Sequence, residues 1–96
     1  MRKILIIGAG KSSASLITYL LNKSEVDNFK IIIGDITTSI AEKIINNHKN
    51  GKAILLDIFN EDEKKLAIKN VDIVISMLPA RFHMLVATAC LELGKH

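Results

Sequence analysis

Four short apolar runs punctuate the chain, and between them polar and apolar positions alternate with helical period. The runs are Lys3–Ile7, Lys30–Asp35, Ala53–Asp57 and Val71–Ser76, rich in Ile, Val and Leu and without strict two-residue alternation. That is how a parallel strand covered on both faces reads. A first helix is predicted over Lys11–Lys23, with Leu16, Ile17, Leu20 and Leu21 as its buried stripe. A second begins near Ser39, where Ser39-x-x-Glu42 has the form of a capping box. It puts Ile40, Ile44 and His48 on one face with Ala41 and Ile45 alongside, and His48 reads as a surface residue at its fraying end. Asn50-Gly51 turns the chain into the third strand. A short helix opens at Asn60-x-x-Glu63 and runs through Ile68, with Leu66 and Ile68 buried. Pro79 then stops the fourth strand and starts a last helix, on which Phe82, Leu85, Val86, Ala89, Cys90 and Leu93 recur at helical spacing. Strand and helix alternating throughout predict a parallel sheet flanked by helices.

The chemistry is concentrated where the first strand ends. Lys3-Ile-Leu-Ile-Ile runs into Gly8-Ala-Gly10 and emerges as a helix. Gly8 allows a tight turn. Gly10 lets the backbone approach a pyrophosphate at the helix N-terminus, where free N–H groups and the helix dipole favour negative charge. The third small position of this pattern holds Ser13, one turn before the apolar stripe, small enough for close packing and able to bond back to a helical carbonyl. The second strand ends on Asp35, about 25 residues after Gly10 and near the roughly 20 at which an acid meets the adenosine ribose. Strand, glycine turn, helix, second strand and terminal acid together predict a Rossmann-like, doubly wound α/β domain with strand order 3-2-1-4 that binds a dinucleotide. Gly10-Lys11-Ser12 mimics the end of a P-loop, but the first glycine of that motif would fall on Leu5, so the spacing excludes it. A carboxylate at Asp35 hydrogen-bonds a ribose 2′-hydroxyl and repels a 2′-phosphate. The residues after it, Ile36-Thr37-Thr38-Ser39, include no Arg. The cofactor read from these residues is NAD in preference to NADP.

Composition narrows the remaining classes. The 96 residues are 49% hydrophobic, enough for one small core. No apolar run approaches the roughly 20 residues that span a bilayer, and the apolar stretch before Gly8 is too short for a signal peptide. The expectation is a cytoplasmic protein without a membrane segment. The single Cys90 falls on an apolar stripe and reads as a small core residue. The 13 basic residues look scattered and lack interleaved aromatics, so nucleic acid is not an expected partner. His48, His83 and His96 lack the spacing and partners of a metal site. The chain stops at Lys95-His96, where a fifth strand is expected to begin. It is therefore read as the front part of a larger protein, truncated before strand five. That leaves Ile73-Val74-Ile75 on an open edge where a second copy would pair, making a homo-oligomer.

The fourth strand and last helix carry a more specific pattern: Ser76-Met-Leu-Pro79, His83 four residues past the proline, and Ala89-Cys-Leu-Glu-Leu-Gly-Lys-His96. With the Gly8-Ala-Gly10 turn, this resembles the N-terminal domain of the saccharopine dehydrogenase family, glutamate-forming branch, over essentially the whole chain. The resemblance implies an NAD(P)-dependent oxidoreductase of lysine metabolism that moves hydride between the nicotinamide and a C–N bond of a small amino-acid substrate. Family members recognise that substrate largely through a second domain, so these 96 residues alone are expected to be inactive. By position, the resemblance puts Gly8, Gly10, Lys11, Ser12 and Ser13 around the pyrophosphate, and Asp35 with Ile36 or Thr37 at the adenosine ribose. It puts Asp57 and Ile58 beside the adenine, and Ser76, Met77, Leu78 and Pro79 on the way to the nicotinamide ribose. Arg81 and His83 would open the last helix toward the same mouth or face solvent. The family is associated with NADP, against the reading of Asp35.

A second class shares the glycine turn and the acid after strand two: the NAD-sensing regulatory domains attached to potassium transport systems. Ser-Met-Leu-Pro followed by His83 is not expected of those domains.

Overall fold

Successive apolar residues in the first strand must be covered from both sides, and this requirement sets the layers. The computed structural model describes residues 2–8, 11–77, 90, 93 and 94. β1 (Arg2–Ile7) lies in the middle of a sheet with β2 (Phe29–Asp35), β3 (Gly51–Leu55) and β4 (Ile73–Ser76), in the order β3-β2-β1-β4. All three pairings are parallel. Ile4 and Ile6 point to one face, where they pack with Ile31, Ile33, Ile17, Leu21, Ala41 and Ile45. Leu5 and Ile7 point to the other, packing with Leu56, Ile58, Ile68, Val71 and Cys90. Helices α1 (Lys11–Asp27) and α2 (Thr38–Ile45) cover the first face, and α3 (Glu61–Lys69) contributes Ile68 to the second. Each such side chain fully withdrawn from water stabilises the fold by about 1.5–3 kcal/mol. The expected architecture and strand order are those observed.

The boundaries moved where polar residues proved compatible with an element. α1 continues four residues beyond Lys23 because Ser24 is buried inside it, its hydroxyl donating to the Leu21 carbonyl. The helix ends at Asn28, which takes a left-handed φ of 64° and donates its N–H to the Ser24 carbonyl. Asparagine tolerates that conformation. The capping box at Ser39 does not form: Thr37 is the N-cap of α2, without a side-chain cap bond. By contrast Asn60 caps α3 as expected, its side chain accepting the Glu63 N–H at 3.1 Å.

On α3 the buried set differs from the expected one. Leu66 is 63% exposed, while Lys64 is buried and its ammonium donates to the Glu61 carboxylate at 2.8 Å. His48 is half-buried rather than free at a frayed end. Its Nδ1 accepts the Asn50 N–H, and its Nε2 lies 3.5 Å from Glu25. The last helix falls outside the described residues except for Cys90 and Leu93, which pack on the second core cluster. Burial holds the Cys90 thiol above its ordinary range. No helix of the described residues is long and apolar enough to cross a membrane.

Candidate functional site

Parallel strands deliver their C-terminal ends to one edge of the sheet, and a single register row fixes which residues meet there. Ile54, Gly34, Ile7 and Ser76 are neighbours across β3, β2, β1 and β4. The next positions along are therefore Leu55, Asp35, Gly8 and Met77. This edge flanks the point where connections leave β1 in opposite directions, the crevice in which doubly wound sheets bind ligands.

Gly8 opens the crevice. Its φ is 99°, a value that side-chain-bearing residues rarely adopt, and its N–H donates to the Gly34 carbonyl at 2.9 Å. The chain then enters α1 at Lys11, so the first turn of that helix stands directly after the central strand. The first N–H groups of a helix lack partners within it and favour an anion. Ser13 is fully buried on the sheet side of α1, where a larger side chain would push helix and strand apart.

The acid at the end of β2 is held by its own backbone. Asp35 Oδ1 accepts the Thr37 N–H at 3.1 Å, which turns the chain into α2 and leaves Ile36 and Thr37 exposed. Beyond β3 the device repeats: Asp57 Oδ1 accepts the Phe59 N–H at 2.9 Å. The Leu56 N–H donates to the Asp35 carbonyl at 2.9 Å and ties the two turns together. The side chain of Ile58 is packed into the second core cluster, 8% exposed, so it does not stand at the mouth beside Asp57. That position lies on a buried face because the Asp57 turn rotates the chain back onto the sheet.

On the β4 side, the Met77 N–H donates to the Ile7 carbonyl at 2.8 Å, carrying the pairing one residue past the strand. Ser76 Oγ is buried and has no hydrogen-bond partner among the described residues. A buried hydroxyl left unpaired costs about 1–3 kcal/mol, and this one sits next to the β1 end in the same crevice. Gly10, Leu78, Pro79, Arg81 and His83 lie outside the described residues. For Lys11 and Ser12 the structure describes the helical backbone. Among the described residues no three His, Cys, Asp or Glu side chains group as a metal site.

The sequence reading missed the shared Asp turn, although its signal is visible as Asp35-Ile-Thr and Asp57-Ile-Phe after successive strands. It also had no means of seeing that Ser76 is left without a partner. A glycine turn, a helix N-terminus, an acid at the neighbouring strand end and an orphaned hydroxyl suit a ligand with phosphates at the centre and hydroxyl-bearing sugars on either side.

The fold and this crevice define a Rossmann-type nucleotide-binding domain. A family model described as "Saccharopine dehydrogenase NADP binding domain" matches residues 4–96, and the chain belongs to that family. It is 34% identical over 96 residues to a Schizosaccharomyces pombe protein named saccharopine dehydrogenase [NADP(+), L-glutamate-forming]. It is 28% identical over 91 residues to the mitochondrial alpha-aminoadipic semialdehyde synthase of Rattus norvegicus. All of this chain aligns with the first protein and 95% with the second, but it spans only 21% and 10% of their lengths. Among solved structures, apo saccharopine dehydrogenase (L-Glu forming) from Saccharomyces cerevisiae superposes with a TM-score of 0.87 at 22% identity. That match covers 99% of this chain and 20% of the yeast one, and it shows the shared fold. Family membership decides between the two classes that the sequence left open.

Proposed function

We propose that this chain is the dinucleotide-binding part of an oxidoreductase that transfers hydride to or from a C–N bond of an amino-acid substrate of the saccharopine type. The observation that carries the reading is the Gly8 turn, with its positive φ, leading from the central strand into the first turn of α1. The relatives named as saccharopine dehydrogenase and aminoadipic semialdehyde synthase support the reaction class. In this reading the bound nicotinamide supplies the hydride. The chain's own residues hold the cofactor: Gly8 and the start of α1 at the pyrophosphate, Asp35 at the adenosine ribose, and Ser76 toward the nicotinamide ribose.

The finer part of the proposal is that NAD binds more tightly than NADP. Asp35 supports it, because a carboxylate at the end of β2 accepts from a 2′-hydroxyl and repels a 2′-phosphate. The printed names of the family and of the fission-yeast relative specify NADP, so the two cofactors have to be compared directly. An amide NMR titration of the chain with each one does so. The expected result is shifts at Ser12, Ser13, Asp35 and Met77 that saturate at lower NAD than NADP. Tighter NADP would return the chain to the cofactor in the family's name. No shift with either at millimolar ligand would refute the binding proposal. The reaction is tested separately, by following reduced nicotinamide on adding saccharopine to the protein that carries this domain.

A further inference from the structure

Basic residues that are far apart in sequence are gathered at the end of the sheet opposite the Gly8 crevice. Lys3 and Lys30 are register neighbours on β1 and β2. Lys52 of β3 pairs with Ile32, two residues along β2 from Lys30. Side chains two apart on a strand share a face, so Lys3, Lys30 and Lys52 all stand on the face that carries Leu5, Ile7 and Ile54. Lys49, in the turn before β3, completes the group. These four lysines, with Asn50 and Gly51, line a depression of about 360 Å³.

All four lysines are exposed, and no ion pair joins any of them to an acid among the described residues. The Asp72 carboxylate accepts the backbone N–H of Lys3 at 2.8 Å. Neighbouring strands are only about 4.8 Å apart, and like charges set directly opposite one another destabilise a sheet. Three strands thus begin with unpaired positive charges side by side around a hollow.

We propose that this hollow is a second ligand site, for an anion carrying two or more phosphate groups. Ammonium groups act as mobile point charges that suit phosphate oxygens arriving from several directions. Among the described residues no aromatic side chain lines the hollow to stack a base, so it reads phosphate charge and not the rest of the molecule. Free oligophosphate and the phosphate tail of a nucleotide share that chemistry. The site lies at the opposite end of the strands from the dinucleotide crevice and does not rest on the proposed function.

The test is a titration of the chain with tripolyphosphate at low salt, read from the lysine side-chain methylene signals beside Nζ, with adenosine triphosphate as a second arm. The site predicts saturable shifts at Lys3, Lys30, Lys49 and Lys52 ahead of the other lysines. It also predicts an affinity reduced about tenfold or more in a Lys30→Gln/Lys52→Gln variant whose NAD response and amide spectrum are unchanged. Equal affinity for the two ligands assigns recognition to the phosphates. Loss of binding with the nucleotide overturns a site that reads the tail. Shifts confined to Lys11–Ser13 would place the anion in the dinucleotide crevice and overturn the proposal. Uniform shifts at every lysine would do the same.

Discussion

Asp35 at the end of β2 and Asp57 two residues past β3 make the same bond, each carboxylate Oδ1 accepting the backbone N–H two residues on, at 3.1 and 2.9 Å. Asp35 thus has two separable properties, an acceptor that shapes the turn and a negative charge that, under the proposed function, meets the cofactor. Asp35→Asn keeps the acceptor and removes the charge. Its stability should therefore stay within about 0.5 kcal/mol of the parent, while the NADP-to-NAD affinity ratio rises about tenfold, equivalent to about 1.4 kcal/mol. Asp35→Ala removes both, and denaturant unfolding should report a further loss of about 1 kcal/mol. Asp57→Ala should lose a similar amount of stability and leave the ratio where it was. A ratio that is the same in the parent and Asp35→Asn would mean that the carboxylate does not face the ribose.

Gly34 sits in the register row that ends at the crevice, and its lack of a side chain is required by a neighbour. A Cβ placed there would lie 2.7 Å from Leu56 Cδ2 and 3.1 Å from Leu56 Cβ. Leu56 is 3% exposed and has little room to yield. Gly34→Ala should therefore destabilise the domain by about 1–3 kcal/mol. Leu56→Ala alone should also destabilise it, by about 2–5 kcal/mol through the cavity it leaves. The double variant should be clearly more stable than the sum of the two losses, a coupling that a thermal or urea double-mutant cycle measures.

The parts of the fold legible in the sequence were those that one physical pattern dictates. Ile4-Leu-Ile-Ile7 has no polar position, so only a strand covered on both faces could hold it, and β1 is central. The Asn60 cap was legible because the whole signal lies within four residues. Ser39 offered an equally good local pattern and lost, because the Asp35 turn sets where α2 starts before the capping box can act. The burial of Lys64 was not legible, because burial of a lysine depends on a partner, here Glu61 one turn back, that takes up its charge. For the candidate site, the glycine turn and the acid at the end of β2 are sequence features. The packing of Ile58 into the core and the unpartnered Ser76 hydroxyl depend on how distant segments come together. The lysines at the far end of the sheet looked scattered for the same reason: only the register Lys3–Lys30 makes neighbours of residues that the sequence separates.

The Glu61–Lys64 pair predicts an acid dependence of stability. The hydrogen bond from Lys64 is the largest cause holding the Glu61 carboxyl below its ordinary value, and the nearby Lys64 and Lys65 charges add to it. A carboxyl whose value is lower folded than unfolded binds more protons in the unfolded state. Its contribution is then complete above the unfolded value near 4.5 and disappears as pH falls through the lower folded value. As pH is lowered from about 4.5 through the folded value, urea midpoints should fall less steeply in Glu61→Gln than in the parent, the two curves converging at the acid end. Parallel curves across that range would show that the pair contributes nothing to the acid limb.

Ser76 offers a prediction in which stability and binding move in opposite directions. Its hydroxyl is buried at the end of β4, beside Ile7 and the Gly8 turn, without a partner among the described residues. Removing an unsatisfied buried polar atom is neutral or favourable, because its desolvation penalty disappears with it. Ser76→Ala should thus leave the free domain as stable as the parent or raise its stability by up to about 1 kcal/mol. If the missing partner is a ribose or phosphate oxygen of the dinucleotide, the same change should weaken cofactor binding by about 1 kcal/mol, roughly fivefold. Thermal unfolding with and without NAD reads both terms in one experiment, since a ligand stabilises according to its affinity. The parent should gain more on adding NAD than the variant does, although the variant begins at an equal or higher midpoint. A variant less stable than the parent without ligand, and equally stabilised with it, would mean that Ser76 serves the fold and not the cofactor.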